Sequence, residues 1–298
     1  MIKRRLNAIL IVAIVCISIH AQTRADSLLA ELKSSKRDYV FVVAHRGDWR
    51  NAPENSIDAI ERAIAMKVDV VEIDIQQTKD GEFILMHDAS ITRTTTGSGD
   101  VRDYTVDELK KFLLKSGNGI KTYDRIPTLR EALLVAKGRI LVNIDKGGTY
   151  IKEILPVIHE TGTGNQVIIK GKYPVEKVMA EYGNKTGMLY MPIVDFDLPG
   201  AVSMMDGFNS KFKPIAYEVL FKKDNNEILK TVGNYIGDSR LWINTLWDSM
   251  CGNHDDELAI KNPDMHWGWV LEQKTTIIQT DRPLELIKYL NAKGRRNL

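Results

Sequence analysis

Glu72 and Asp74 stand two residues apart inside the apolar run VVEIDI, and a His-Asp pair, His87 and Asp88, begins thirteen residues after Asp74. On a strand, side chains two apart share a face. Two carboxylates side by side in an apolar setting repel, and one of them resists ionisation. A hard divalent cation relieves that conflict. Asp145, at the end of the apolar stretch RILVNID, offers a third oxygen ligand. Three carboxylates completed by water suit Ca²⁺ or Mg²⁺ rather than a metal that prefers thiolate or imidazole. The competing reading pairs these acids with Arg46 or Lys146 as ordinary salt bridges. The histidines are equally open: His45 after FVVA and His87 after FILM each read as a structural hydrogen-bonder or as a proton carrier.

Such residues need a frame that brings them together. Eight apolar runs, VFVVAH, VDVVEIDIQQT, RILVNID, QVIIKG, MLYMPIV, PIAYEVLF, LWINTLW and TTIIQT, alternate with stretches of helical periodicity. SIDAIERAIAMK places Ile57, Ile60 and Ile64 on one helical face behind Ser56, a good N-cap. Continuously apolar strands between amphipathic helices predict a parallel sheet covered by helices. Eight such units in 298 residues predict an α/β fold of the closed (β/α)₈ TIM-barrel type. No Gly-rich dinucleotide loop follows the first strand, which argues against an open doubly wound sheet.

Asp80-Gly81 predicts a hairpin that prolongs the second strand into FILMHD. The polar, Gly- and Thr-rich segment 89–127 reads as a small insertion with one helix, TVDELKKFLL, capped by Thr105 and Glu108. In a barrel, chemistry sits at the C-terminal strand ends. His45 and Arg46, Glu72 and Asp74, His87, Asp145, Lys170, Glu218 and Trp247 all fall at or just beyond such ends.

The head of the chain is separate from this frame. MIKRR is basic, LNAILIVAIVCISI is apolar, and a small residue follows at Ala21. That is the grammar of an export signal, with cleavage near Ala21 and the barrel occupying 22–298. The apolar run is shorter than the ~20 residues a membrane span needs, so no stable membrane insertion is expected after cleavage. Losing Lys3, Arg4 and Arg5 takes the formal charge from +2 to −1 (2 − 3 = −1). A nearly neutral mature protein has no nucleic-acid footprint. Cys16 leaves with the signal and Cys251 remains alone, so no internal disulfide is expected. The expected location is exported, periplasmic or secreted.

The stretches AHRGDWRNAPENSIDAIERAI, VVEIDIQQTKDGEFILMHDASITRTTTGSGDVRDYTVDELKKF, IPTLREAL and TDRPLELIKYL resemble the glycerophosphodiester phosphodiesterases. The likeness covers the first third of the chain well and its end adequately. It implies a TIM barrel with a small insertion after strand two. It also implies His45 and His87 as an acid/base pair, Arg46 as a phosphate contact, and Glu72 and Asp74 as metal ligands. Glu54 and Asn55 match the family's Pro-Glu-Asn segment and are expected to line the site.

One departure stands out. The family commonly ends strand three with Glu-x-Lys, whereas this chain reads NIDKGG. Asp145 takes the place of the Glu, Gly147 stands at the Lys position, and Lys146 is expected to leave by the opposite face. Lys170, ending the next strand, is then the expected replacement cation. The activity implied is hydrolysis of a small-molecule glycerophosphodiester to sn-glycerol 3-phosphate and an alcohol, with Glu218, Trp242 and Trp247 as candidate walls of an alcohol pocket. Two rivals remain at this level. One is a phospholipase C- or D-like enzyme on intact lipid, which would want an apolar rim that the insertion's composition does not offer. The other is an exported binding barrel without turnover.

Overall fold

The structure is a computed structural model and describes residues 22–182, 189–224 and 226–297. The basic and apolar head read as an export signal lies outside them. Eight parallel strands form the barrel: β1 (Phe41–Ala44), β2 (Val70–Gln77), β3 (Leu141–Asp145), β4 (Val167–Gly171), β5 (Leu189–Asp195), β6 (Ala216–Leu220), β7 (Arg240–Asn244) and β8 (Ile277–Thr280). Each pairs with its sequence neighbour, and β1 pairs with both β2 and β8, which closes the cylinder. Helices between the strands bury their apolar stripes against the outside of the sheet. Ile60, Leu133, Ile154 and Val178 belong to that layer, with outward strand residues such as Val71 and Ile144. No helix among the described residues is long and apolar enough to cross a membrane.

The inward-facing strand positions divide into two levels. The lower is apolar: Phe41, Val43, Val70, Leu141, Ile168, Ala216, Trp242 and Ile277 pack together. A helix that the sequence reading leaves unassigned, Arg24–Lys33, closes this end by inserting Leu28 and Leu32. Two residues further along, seven of the eight strands turn polar: His45, Glu72, Asn143, Lys170, Glu218, Asn244 and Gln279, all buried. The alternation of strand side chains thus sets a polar level on an apolar plug. Trp242 belongs to the plug, fully buried, with its indole N–H donating to Asn244 Oδ1 at 2.7 Å. It is not a wall of a substrate pocket.

A buried carboxylate fastens the lower end. Asp69 accepts from the Tyr39 hydroxyl and the Val42 N–H, each at 2.8 Å, and pairs with Arg24 and Arg296. Both ends of the described chain are thereby tied to one residue beneath the barrel.

After β2 the chain forms the expected hairpin, with Ile75 opposite Leu85 in antiparallel register. The insertion has its own small core of Ile84, Met86, Ile91, Val101, Leu109, Leu114 and Ile126. Its expected long helix is confined to Val106–Leu109, although the Thr105–Glu108 capping box forms as read. The rest, Leu113–Lys115, is a strand against Lys121–Arg125. Leu113 and Lys115 also bond the backbone of Thr96 and Thr94. Pairing with those partners overrides a local helical preference that a single turn barely supports.

Candidate active site

β2 presents Glu72 and Asp74 on one face, and the β2–β3 register sets Asp74 opposite Asp145. Glu72, Asp74 and Asp145 each offer an oxygen within 4.8 Å of the other two. Glu72 and Asp74 are each 1% exposed. Burial, with Asp74 alongside, pushes the Glu72 carboxyl up to about 7, although Lys170 and His45 pull the other way. Asp145 goes in the opposite direction. Burial raises it, but the Lys170 charge and the Lys146 N–H, 2.7 Å away, hold it below the ordinary carboxylate value. A carboxylate resisting its charge beside two others is a donor set short of positive charge. All-oxygen ligation of this kind fits a hard divalent cation.

Cations already surround the cluster. Lys170, buried on β4, lies 3.7 Å from Glu72 Oε1 and 3.5 Å from Glu218 Oε2. Burial opposes its charge, yet Asp145, Glu218 and Glu72 hold it protonated beyond an ordinary lysine. Lys146 corrects the sequence expectation that it leaves by the opposite face. Its Nζ lies 3.7 Å from Asp74 Oδ1 and donates to the His87 carbonyl. The strand ends at Asp145, and Lys146 takes φ 61, so strand alternation no longer governs where it points. Two lysines, one partly exposed and one buried, thus stand beside the acidic cluster.

Left-handed backbone recurs here. Of seven non-glycine residues with positive φ among those described, Arg46, Asn55 and Lys146 belong to the site. Such conformations persist where surrounding contacts over-determine them. Arg46 turns its N–H onto Glu72 Oε2 at 2.9 Å. Asn55 exchanges two bonds with Asp74: its amide donates to Oδ2 at 2.9 Å, and its Oδ1 accepts the Asp74 N–H at 3.0 Å. Gly47 next door is obligatory, because a Cβ there would sit 2.7 Å from the Cβ of Ala59. The HRG and PEN segments are therefore two turns folded onto the acidic strand.

Each histidine is anchored by a carboxylate. His45 Nδ1 lies 2.8 Å from Asp281 Oδ1, and His87 Nδ1 lies 2.7 Å from Asp88 Oδ1. Asp281 is held below the ordinary carboxylate value; burial works against this, but the His45 bond and charge, the Trp49 indole and the Arg50 charge together outweigh it. Asp88 is also held low, chiefly by Arg93. Both acids therefore accept, both Nδ1 atoms donate, and Nε2 of each ring is left for chemistry. Burial alone would lower the His45 pKa; the Asp281 bond and the Glu72 charge reverse this, and the net direction is up.

An ion-pair chain runs from His87 through Asp88 and Arg93 to Glu54, and on through Arg46 to Asp74. Arg46 Nε is buried without a hydrogen-bond partner. Glu218 accepts from the Asn244 amide at 2.9 Å. Trp247, 43% exposed, meets His45 edge-on with ring centres 6.2 Å apart.

The sequence alone pairs Asp88 with His87 but assigns it no role, and it assigns none to Asp281, Arg93 or Trp49, whose indole N–H donates to Asp281 Oδ1 at 2.6 Å. Asp281 had a signal available, since it directly follows β8 just as His45 follows β1. Arg93 had none, because only the fold of the insertion brings it to Glu54.

A family model described as the glycerophosphoryl diester phosphodiesterase family matches residues 45–155. A second, described as a domain of unknown function, matches 190–290, which here is the second half of the same barrel. The glycerophosphodiester phosphodiesterase of Caldanaerobacter subterraneus subsp. tengcongensis is 39% identical over 162 residues, 50% of this chain and 66% of its own. That of Bacillus altitudinis is 46% identical over 110 residues, 35% of this chain and 44% of its own. The chain thus spans no more than about two thirds of these relatives' lengths.

Among solved structures, a glycerophosphoryl diester phosphodiesterase from Parabacteroides distasonis superposes with TM-score 0.76 at 24% identity, covering 90% of this chain and 92% of its own. A phosphodiesterase from Oleispira antarctica, solved with its product sn-glycerol-3-phosphate, superposes with TM-score 0.64 at 17% identity, covering 84% and 96%. At those identities the structural likeness carries the fold, while the shared sequence carries the kinship. Sequence shared through the first half and a barrel shared throughout place the chain in the glycerophosphoryl diester phosphodiesterase family.

Proposed function

We propose that the protein hydrolyses glycerophosphodiesters to sn-glycerol 3-phosphate and an alcohol, with Ca²⁺ or Mg²⁺ held by Glu72, Asp74 and Asp145. The observation that carries this reading is the pair of histidines, each with Nδ1 tied to a carboxylate, around one three-carboxylate cluster at the barrel mouth. When bound, such a cation neutralises phosphate charge and polarises the P–O bond. Arg46, through guanidinium donors not turned to Glu54 and Asp74, and Lys146, half-exposed beside Asp74, meet the non-bridging oxygens. Lys170 is too deeply set to follow the substrate, and it balances Glu72 and Glu218.

His45 holds its proton more firmly than a free imidazole and suits the donor to the leaving alkoxide. His87, its side chain 38% exposed, suits the base that deprotonates the attacking oxygen. Glu54 and Asn55 hold Arg46 and Asp74 in place, and Trp247, exposed beside His45, faces the alcohol, while Glu218 lies with Lys170 beneath it. An exposed aromatic face suits a cationic headgroup.

The test is glycerol phosphate release from a panel of glycerophosphodiesters, with Ca²⁺, with Mg²⁺ and with chelator. Metal-dependent release is expected, and His45→Ala and His87→Ala are each expected to lose about 10²–10⁴-fold in kcat with the fold intact. Near-normal turnover in either variant overturns its assignment, and tight binding without release would leave a non-catalytic barrel. The panel includes a lysophospholipid for a structural reason. Ile120 and Tyr123 of the insertion are 63% and 96% exposed, apolar surface that composition alone did not reveal. For export we rely on the head of residues 1–21; a mature N-terminus near residue 22 in the exported fraction is the expected result.

A further inference from the structure

We propose that Asp256 is a positioning residue for the reaction, fixing the backbone of Asp281 so that its carboxylate meets His45 Nδ1. The inference rests on the His45 assignment above and goes beyond it, because Asp256 touches neither histidine nor metal ligand.

Asp281 is the first residue past β8 and has left the strand ladder. Its carboxylate does two jobs with one oxygen, accepting from His45 Nδ1 and from the Trp49 indole. An aspartate that must aim a single oxygen needs its main chain held. Arg50 Nε donates to the Asp281 carbonyl at 2.9 Å. The Asp281 N–H donates to Asp256 Oδ2 at 2.7 Å. The other Asp256 oxygen accepts from the Thr245 hydroxyl at 2.6 Å and the Trp267 indole at 3.0 Å. The Asp256 N–H closes onto the Thr245 carbonyl at 2.7 Å, and the Thr245 N–H onto the Gln279 carbonyl at 2.8 Å. The ends of β7 and β8 are thus stitched together through one side chain.

That side chain is expensive to keep. Asp256 is 1% exposed, and none of the ion pairs among the described residues includes it. Burying a carboxylate among neutral donors costs stability that an apolar residue would not. Its donors are what a fixed point requires: Thr245, Trp267 and the Thr280 hydroxyl hold the carboxylate, and the carboxylate holds Asp281. Asp256 and Asp281 both fall within the stretch matched by the domain of unknown function. On this reading, one contribution of that half of the barrel is to aim a histidine carried by the other half.

The experiment is a double-mutant cycle in the full chain, with kcat and KM measured per folded molecule. Asp256→Asn keeps the shape but puts an N–H₂ against one of the donors, so one of the stitches fails. It is expected to lower kcat about 10–100-fold, as loss of an outer partner of an active-site ligand does, with KM changed less than about twofold. On an Asp281→Asn background it should cost nothing more, because the residue it positions is already gone. Trp267→Phe removes one donor from Asp256 and leaves the Asp281 bond in place; a smaller kcat loss, also absent on the Asp281→Asn background, is expected. Trp267→Phe decides the matter alone if Asp256→Asn does not fold. Unchanged kcat, or losses that multiply with Asp281→Asn, would reduce Asp256 to a packing residue and overturn the proposal. His45→Ala run alongside separates the two readings: if it retains turnover, the His45 assignment fails first.

Discussion

Glu72→Gln should make the metal-free protein more stable at neutral pH and far less responsive to metal. In the folded protein the Glu72 carboxyl is raised from 4.5 to about 7, first by burial and then by Asp74. The sign follows from proton counting. A folded state that keeps its proton to higher pH than the unfolded chain loses stability as pH climbs from 4.5 to 7. A rise from 4.5 to about 7, at about 1.4 kcal/mol per pH unit, sets that loss at about 3 kcal/mol, already net of the attraction of Lys170 and His45. Glutamine keeps the shape and can still accept the Arg46 N–H, but carries no charge to desolvate. At pH 8 with chelator, urea denaturation should therefore show Glu72→Gln more stable than wild type by up to about 3 kcal/mol, with the gap nearly closed at pH 4. Saturating Ca²⁺ or Mg²⁺ reverses the order: at a hundred times Kd a ligand adds about 2.7 kcal/mol to the wild type, and the variant should gain far less. Equal pH dependence in the two proteins would refute the repulsion argument. Equal stabilisation by metal would refute the three-carboxylate site.

Two further outcomes follow from the cations and from the lower end of the barrel. Lys146→Ala should raise KM more than it lowers stability, whereas Lys170→Ala should unpair Glu72 and Glu218 and cost about 3–5 kcal/mol in denaturation; the reverse pattern would restore Lys170 as the phosphate contact. Asp69→Ala should cost a similar about 3–5 kcal/mol by stranding Arg296, yet leave kcat per folded molecule unchanged; a large change in kcat would mean that the lower end of the barrel influences the mouth.

The parts of the protein that obey local rules were legible in its sequence. All eight barrel strands stand where apolar runs alternate with helical periodicity, because burial on both faces leaves no other reading. Glu72, Asp74 and Asp145 were reachable by strand parity alone. Lys146 was misplaced by the same parity rule, which lapses once a backbone turns left-handed, and a single sequence gives no warning of φ 61. The insertion's helix was misread because Leu113 and Lys115 answer to partners seventeen or more residues upstream. Arg93 and Asp256 were out of reach, since their importance lies in contacts with Glu54 and Asp281 that only the folded chain creates. Asp281 obeys the strand-end rule, directly following β8.

The closing seam between β1 and β8 has a consequence for the history of a single molecule. His45 is made first, and Asp256 and Asp281, on which its orientation depends, are made more than two hundred residues later. For most of its synthesis the chain therefore holds His45 without its carboxylate, with one edge of its first strand waiting for a partner more than two hundred residues away. Activity should switch on with the final turn of assembly instead of growing with length. A break between the two halves, which the two family matches tempt an engineer to treat as modules, would yield fragments that are inert until they find each other.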